Sequence, residues 1–162
     1  MTTTYMLKQS IKTNIMAMQR QAISNLNPHW VLGFIDAEGC FHVAIQKNNT
    51  MRLGVQVQLH FSVAQHAQDK LLLEQFVPFF DGAGQVTASG GSMYQYRIRG
   101  MDDLENKLFP FLESHPLVTQ KSLDYANFRV VHAMMRNGEH LTPEGLDKIR
   151  AIQLLMNRQR SK

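Results

Sequence analysis

Six apolar side chains occupy every second position in one stretch of the chain. They are Leu53, Val55, Val57, Leu59, Phe61 and Val63. Because successive side chains of a strand point to opposite faces, this alternation predicts a strand with one face in the core and one polar face. Residues 41–46 show a shorter version of the same pattern. The polar residues at 47–50 lie between the two stretches, so the sequence predicts an antiparallel hairpin.

A second hairpin is predicted by residues 84–89 and 93–99, turned at Gly90 and Gly91. Between the two hairpins, residues 68–80 have helical periodicity, with a proline that is expected to distort the last turn. The two hairpins supply four strands, each with one apolar face. A helix covering that face is the simplest way to bury it.

Three helices are predicted after the second hairpin. Asp102 is expected to cap the first, which Pro110 must kink or divide. Thr119 is expected to open the second, and Thr142, followed by proline and glutamate, is a strong start signal for the third. The predicted order is helix, two strands, helix, two strands and helices, which makes this an α+β chain.

Two carboxylates lie at the end of a short apolar helix predicted ahead of the first hairpin. Asn27 suits the N-cap and Pro28 the first helical position, and Gly39 is expected to end the helix in a left-handed turn. Asp36 and Glu38 then lie at the helix C-terminus, where the negative end of the macrodipole disfavours acids. A divalent metal would offset that charge. The plain alternative is a buried helix with two solvated acids.

The sequence of residues 31–39, Val-Leu-Gly-Phe-Ile-Asp-Ala-Glu-Gly, resembles the LAGLIDADG motif of the homing endonucleases. Five of its nine letters match, Glu38 keeps a carboxylate, and Leu32 replaces the small residue that is usual there. The resemblance implies an αββαββα LAGLIDADG homing-endonuclease-like fold with a curved antiparallel four-stranded DNA-binding sheet. Extra N- and C-terminal helices are expected around it. On the pattern, the resemblance covers roughly residues 27–135.

The resemblance also implies how two chains combine. In this family the motif helices of two domains pack together, and a chain with one motif resembles the homodimeric class. The residues expected at this dimer interface are Val31, Gly33, Phe34 and Asp36. Asp36 is expected to cap the partner helix across the interface, and a cap on its own turn is the alternative.

Metal-dependent phosphodiester hydrolysis is the reaction that the resemblance implies. The second acid of the motif binds the metal in this family, which is Glu38 here, with the backbone carbonyl of Ala37 beside it. The expected cofactor is Mg²⁺, and Mn²⁺ or Ca²⁺ can occupy the same site. Gln65 resembles a residue that orients solvent, and Lys121 resembles a lysine that stabilises charge in the transition state. Either could instead be an ordinary surface residue.

The polar faces of the two hairpins are poor in acids and rich in Gln, Arg and His. Gln can pair with adenine and Arg with guanine in the major groove, which admits a two-stranded ribbon. The residues predicted to contact double-stranded DNA are Gln46, Lys47, Arg52, Gln56, Gln58, His60, Gln95, Arg97 and Arg99. A face that is merely solvated is the alternative. Two copies related by a two-fold axis would read a long, pseudo-palindromic site.

Composition favours a polyanionic partner without requiring one. The chain has 17 Lys and Arg against 13 Asp and Glu, a net charge of +4. The single cysteine, Cys40, cannot form an internal disulfide, which favours a reducing compartment. No apolar run approaches the roughly 18 residues that span a membrane, so no membrane partner is expected. The histidines lack metal-ligand spacing, which argues against a zinc site.

We expect an N-terminal extension at 1–26 followed by a single endonuclease domain at 27–162 that includes the C-terminal helices. Residues 1–35 contain no acid, only Lys8, Lys12 and Arg20 among charged residues, which fits an organellar transit peptide. Apolar residues at helical spacing predict an added helix instead. That interpretation is favoured if the gene lies in a chloroplast or mitochondrial intron, as for many members of the family. A basic tail is formed by Arg158, Arg160 and Lys162.

The leading hypothesis is a homodimeric, Mg²⁺-dependent, site-specific double-strand DNA endonuclease. The alternative is a non-catalytic nucleic-acid-binding protein on the same scaffold, either an intron RNA maturase or a DNA-binding regulator. A plain interaction module is the third possibility, and it leaves the acid-poor sheet face unexplained.

Overall fold

A four-stranded antiparallel sheet backed by helices forms the body of the protein. The computed structural model describes residues 2–23 and 25–157, with side chains at 4–18 and 25–157. The helices and strands are α1 (Thr2–Ile23), α2 (Pro28–Glu38), β1 (Gly39–Lys47), β2 (Val55–His66), α3 (Lys70–Phe79), β3 (Gln85–Gly90), β4 (Met93–Ile98), α4 (Met101–Asp103), α5 (Phe109–Ser114), α6 (Lys121–Arg136) and α7 (Pro143–Leu154). The predicted αββαββα order and the added helices at both ends are confirmed.

The strands lie in the order β1-β2-β4-β3, so β1 and β3 are the two edges. β1 and β2 form the first predicted hairpin, with Phe41 opposite Phe61. β3 and β4 form the second, and β2 joins the hairpins by pairing antiparallel with β4. One continuous sheet therefore carries the faces of both hairpins.

The hydrophobic core lies between the sheet and the helices. Val57, Leu59, Phe61 and Val63 are buried as the alternation predicts. Helices α2, α3, α6 and α7 contribute further buried apolar side chains, which include Val31, Ile35, Leu73, Phe76, Phe128, Val131, Leu146 and Ile149. Full burial of a side chain of this kind stabilises the fold by about 1.5–3 kcal/mol, so this layer fixes α2 and α6 relative to the sheet.

Two predicted helix starts after the second hairpin differ from the structure. Gly100, and not Asp102, is the N-cap of α4, and Asp102 lies within the helix, where its carboxylate pairs with Arg136. Helix α6 begins at Lys121, two residues after Thr119. The break predicted at the proline of the first helix is present as a π-helical turn, Leu104–Leu108, because proline cannot donate an i→i−4 hydrogen bond.

Gly39 does not end α2 in the predicted left-handed turn. Its φ is −67° and its ψ 151°, so the chain passes directly from helix α2 into strand β1. Glycine is needed there because a Cβ at this position would lie 2.6 Å from the Ile35 carbonyl oxygen and 3.2 Å from the Phe61 ring. This tight junction fixes the end of α2 against the edge of the sheet.

The N-terminal helix α1 is exposed along its described side chains. Residues 4–18 are all exposed, including the apolar side chains of Leu7, Ile11 and Ile15. In the described part of the chain, none of the helices is both long enough and apolar enough to cross a bilayer. The predicted basic tail at 158–162 lies outside the described residues, as does the side chain of Arg20.

We predict that Gly39→Ala destabilises the protein by about 1–3 kcal/mol, because its methyl group meets a backbone carbonyl that cannot move without disturbing α2. Urea denaturation measures the free energy of unfolding. Gly100→Ala is the matched control, since Gly100 is also extended but its added Cβ meets only the flexible Asp103 side chain, at 3.0 Å. Equal stabilities of the two variants would contradict the tight junction.

Candidate active site and nucleic-acid interface

The helix that carries the two motif acids is fixed at its start and along one face. The Asn27 side chain accepts hydrogen bonds from the backbone N–H groups of His29, at 2.9 Å, and Trp30, at 3.4 Å, as its predicted N-cap role requires. Val31 and Ile35 are completely buried. The C-terminal end of α2 is therefore held at the point where β1 begins.

Asp36 binds the segment that leads into α6. Its carboxylate accepts hydrogen bonds from the backbone N–H of Val118, at 3.0 Å, and of Thr119, at 3.2 Å. The Thr119 hydroxyl donates a further bond of 2.6 Å. This arrangement differs from both expected ones, a cap on a partner helix and a cap on the residue's own turn, because the carboxylate binds the segment before α6 of the same chain.

The position of Asp36 explains how an acid is tolerated at a helix C-terminus. The carboxylate lies close to the N-terminus of α6, where the positive end of a second macrodipole offsets the negative end of α2. Burial alone would raise the pKa of Asp36, but hydrogen bonds from Thr119 and Val118, with the nearby charge of Lys121, hold this pKa below its ordinary value. Asp36 is therefore ionised at neutral pH without the help of a metal.

Lys121 reaches the same junction from the first turn of α6. Its ammonium donates a hydrogen bond to the carbonyl oxygen of Gly39, the residue that follows Glu38. Thr119 supports this placement, since its hydroxyl accepts a bond from the Lys121 backbone N–H at 3.3 Å. Lys121 and Asp36, far apart in the sequence, thus lie at one junction between α2, β1 and α6, and Lys121 binds the carbonyl of the residue that follows Glu38.

Glu38 is the motif acid without a local partner. It is exposed and forms no hydrogen bond or ion pair with any residue that the structure describes. Ala37 beside it is also exposed, and its carbonyl belongs to the last turn of α2, where carbonyls lack intrahelical donors. A carboxylate and a free backbone carbonyl are oxygen ligands of the kind that Mg²⁺ and Ca²⁺ prefer.

One chain supplies only part of a metal site. Among the described residues there is no group of three or more His, Cys, Asp or Glu side chains that could hold an ion. Mg²⁺ commonly uses one or two carboxylates together with water and substrate phosphates. Glu38 and Ala37 are therefore two oxygen donors, and a divalent ion bound there would need further ligands from outside the described residues.

Gln65 lies inside β2, whereas the sequence placed it just past that strand. It pairs in register with Tyr94 and is half-buried, on the same side of the strand as Val63. Because Val63 is opposite Gly39, Gln65 lies two residues beyond the last pair that β2 makes with β1. It is therefore near the end of α2, and its solvent-orienting role stays a prediction.

The exposed face of α2 differs from the predicted dimer interface at one position. Val31 is completely buried in the core of its own chain, so it has no surface to offer a partner. Gly33 is exposed with nothing within 4 Å of its Cβ position, and Phe34 is half-buried and stacked on Trp30, with ring centroids 4.9 Å apart. Trp30 is 45% exposed and was missed as a candidate. Trp30, Gly33 and Ala37 are three and four residues apart, a helical spacing that places them on one face of α2.

The polar face of the sheet carries most of the predicted DNA contacts. Strand alternation, counted from the buried core residues, places six of them on this face and Arg99 just beyond the end of β4. The six are Gln46, Gln56, Gln58, His60, Gln95 and Arg97. No Asp or Glu occurs in any of the four strands. Strand alternation places further polar residues on this face that were not among the predicted contacts, including His42, Ser62, Gln85 and Thr87.

Two predicted DNA contacts lie elsewhere. Arg52 is in the loop before β2, which begins only at Val55, and its guanidinium donates a hydrogen bond of 3.3 Å to the Leu141 carbonyl. Lys47 follows Gln46 along β1, so its side chain projects from the opposite side of the strand. The alternation counted from position 52 therefore starts three residues before β2, and Lys47, predicted in the turn, is instead the last residue of β1.

Two histidines at the centre of the polar face have pKa values below the ordinary value of a histidine. His42 and His60 are directly opposite each other, with ring centroids 4.7 Å apart. Burial, His42 and the arginines Arg97 and Arg99 lower the pKa of His60 to about 4, and burial and Arg97 lower the pKa of His42. The buried Nε of Arg97 has no hydrogen-bond partner in the described part of the chain. These side chains are suited to hydrogen bonding with a ligand.

This chain matches the family whose motif residues 31–39 resemble, and it also matches individual known proteins. Residues 31–132, more than half of it, match the family described as LAGLIDADG endonuclease. "Probable intron-encoded endonuclease 3" of Neurospora crassa is 38% identical over 136 residues, which are 83% of this chain and 25% of that protein. An "Uncharacterized 50.9 kDa protein in ND4 intron 1" of Podospora anserina is 36% identical over 122 residues, which are 74% of this chain and 27% of that protein. The chain thus spans about a quarter of these relatives.

Solved structures resemble most of the fold. A crystal structure of the homing endonuclease I-TnaI has a TM-score of 0.78 and 42% identity, and the match covers 85% of this chain and 95% of that one. I-SmaMI, a LAGLIDADG homing endonuclease bound to cleaved DNA, has a TM-score of 0.79 and 40% identity over 83% of this chain and 45% of that one. By sequence and by fold, this chain belongs to the LAGLIDADG endonuclease family.

Proposed function

We propose that the protein is a homing endonuclease that cuts both strands of a long, specific DNA site as a homodimer. The observation that carries this proposal is the position of the α2–β1–α6 junction at the margin of an acid-free sheet. His42 belongs both to the polar face of that sheet and to the cleft lined by Asp36, Ala37 and Lys121. A duplex lying on the face would therefore bring its backbone to the junction.

Recognition of the duplex is assigned to the polar face. Its Gln and Arg side chains have the donors and acceptors to bind adenine and guanine edges in the major groove. Because His42 and His60 stay neutral, they act as hydrogen-bonding groups and not as phosphate-binding cations. The absence of acids from all four strands removes the like-charge repulsion that carboxylates would impose on DNA.

The catalytic groups are assigned to the junction. Glu38 and the Ala37 carbonyl would hold Mg²⁺, or Mn²⁺ or Ca²⁺ in the same position. When bound, such an ion polarises the phosphate and lowers the pKa of water. Lys121, which binds the carbonyl of the residue after Glu38, would contribute a positive charge that stabilises the developing negative charge on the phosphate. Gln65, on the helix side of β2, would orient solvent, and Asp36 holds the α6 start in place.

The dimer is assigned to the exposed face of α2. Gly33 allows close approach of a second helix because it lacks a side chain, and Trp30 and Ala37 flank it on the same face. Pairing of this face with itself about a two-fold axis would bring Glu38 from each copy to the same centre. Two oxygen-ligand sets and two polar sheets would then act on one duplex.

We also propose that the protein is encoded within an organellar intron, in a mitochondrion or chloroplast. The Neurospora and Podospora relatives are named for introns, the latter for an ND4 intron. Cys40 is a free cysteine, which is compatible with a reducing compartment. The division into an extension at 1–26 and a domain at 27–162 stays a prediction.

We predict that Glu38→Gln abolishes metal-dependent cleavage and leaves DNA binding within about twofold, because the amide keeps the size of the side chain but loses the charge that holds the ion. The measurement is sequencing of the products cut from a random duplex pool with Mg²⁺, followed by binding assays on the selected site. Glu144→Gln, a change of another exposed acid, should cut normally. If Glu38→Gln cuts at the wild-type rate, the metal assignment is wrong; if the wild type retains RNA but cuts nothing, the maturase alternative takes its place.

The sheet face generates a second prediction. Arg97→Ala should weaken binding to the selected duplex by roughly ten- to hundredfold, since one well-placed Arg–guanine pair contributes about 1–3 kcal/mol. Fluorescence anisotropy at fixed ionic strength measures the effect. Arg52→Ala removes a cation that lies off the face and should change affinity little. A larger loss in Arg52→Ala than in Arg97→Ala would place the DNA on another surface.

The helix interface generates a third prediction. Gly33→Ala should stabilise the isolated subunit by up to about 1 kcal/mol, because alanine is the better helix former and the Cβ meets no atom of its own chain. The same methyl group should weaken the dimer, which sedimentation equilibrium measures. A variant that is more stable and dimerises as tightly as the wild type would show that α2 pairs through a different face or does not pair.

A further inference from the structure

The C-terminal segment closes the open edge of the sheet. β1 is an edge strand, so alternate carbonyls along it have no strand partner. Two of these carbonyls accept hydrogen bonds from side-chain amides, one in the last turn of α7 and one just after that helix. Gln153 donates to the Val43 carbonyl at 2.7 Å, and Asn157 donates to the Phe41 carbonyl at 3.0 Å.

The spacing of the two amides matches the spacing of the two carbonyls. Gln153 and Asn157 are four residues apart on a segment that continues α7 with i→i−3 hydrogen bonds, a span of roughly 6–8 Å. Val43 and Phe41 are two residues apart on a strand, a span of roughly 6.6 Å. The two amides therefore occupy the place of a fifth strand along this part of β1.

Asn157 also binds α6. Its backbone N–H donates a 2.9 Å hydrogen bond to the carboxylate of Asp124, which is 5% exposed. Asp124 lies one helical turn after Lys121, on the same side of α6. Asn157 has a positive φ of 54°, and the adjacent Met156 is buried, so the segment is anchored in one conformation.

The two elements that Asn157 joins are the ones that place the catalytic lysine. Lys121 lies at the start of α6 and donates to Gly39, two residues before Phe41 in β1. An open cleft of about 1160 Å³ is lined by Asp36, Gly39, Lys121, Gln153 and Asn157. The C-terminal segment therefore forms one wall of the candidate active site, although the family match ends at residue 132.

We propose that Gln153 and Asn157, termed here the amide clamp, are positioning residues that hold β1 against α7 and α6 and so keep the Lys121 ammonium on the carbonyl of Gly39, the residue after Glu38. The role of this lysine in cleavage rests on the proposed function. The clamp itself acts in the free protein, where it can be tested without DNA.

The first test is the rate at which an acylating reagent labels the Lys121 amine, measured by mass spectrometry relative to the exposed Lys148. Asn157→Gly removes the side-chain donor and keeps the positive φ, and Gln153→Leu removes the other donor with similar volume. Loss of the lysine's hydrogen bond should raise its labelling rate by roughly tenfold. Leu154→Ala is the control, because Leu154 is 63% exposed between the two clamp residues.

The second test is single-turnover cleavage of the selected duplex. Both clamp variants should cut at least roughly tenfold more slowly, because small displacements of a catalytic group are costly, while their dissociation constants for DNA stay within about twofold. Urea denaturation identifies any clamp variant that fails to fold. The proposal is then tested on the other clamp variant. An unchanged Lys121 labelling rate in a folded clamp variant would overturn the proposal. Faster labelling in a protein whose wild type cuts no duplex would keep the clamp and overturn the proposed function.

Discussion

The carboxylate of Asp36 joins the C-terminus of α2 to the N-terminus of α6, and the arrangement of the candidate site depends on it. Two helix ends of opposite dipole meet through one ionised group, which satisfies the amides of Val118 and Thr119. Lys121 then follows within the first turn of α6 and reaches the Gly39 carbonyl. This contact and the bond from Lys121 to Gly39 together fix the lysine relative to the end of α2.

The two motif acids have different physical roles because their surroundings differ. Asp36 is held by hydrogen bonds within its own chain, and its pKa is lowered accordingly. Glu38 is exposed and has no partner in the described part of the chain, so its carboxylate is free for a ligand. The N-terminus of α6 thus offsets the electrostatic cost of Asp36 at the C-terminus of α2. In the proposed function, a metal ion offsets the corresponding cost of Glu38.

The sequence predicted the sheet and its polar face because alternation is a local signal with a period of two. It also predicted the N-cap at Asn27 and the start of α7 at Thr142, which are fixed by neighbouring residues. The alternation misplaced Arg52, which lies in the loop before β2, because a period of two does not mark where a strand begins, and the family resemblance assigned the buried Val31 to an interface. The partner of Asp36 and the amide clamp depend on long-range packing, which no local pattern contains.

The central claim is that two copies of this chain form one endonuclease around paired Glu38 residues. The most direct measurement is the mass of the complex between the wild-type protein and its selected duplex, with Ca²⁺ in place of Mg²⁺, by light scattering coupled to gel filtration. We predict two chains for each duplex at saturation. One chain for each duplex, in a complex that still cuts both strands with Mg²⁺, would contradict the claim.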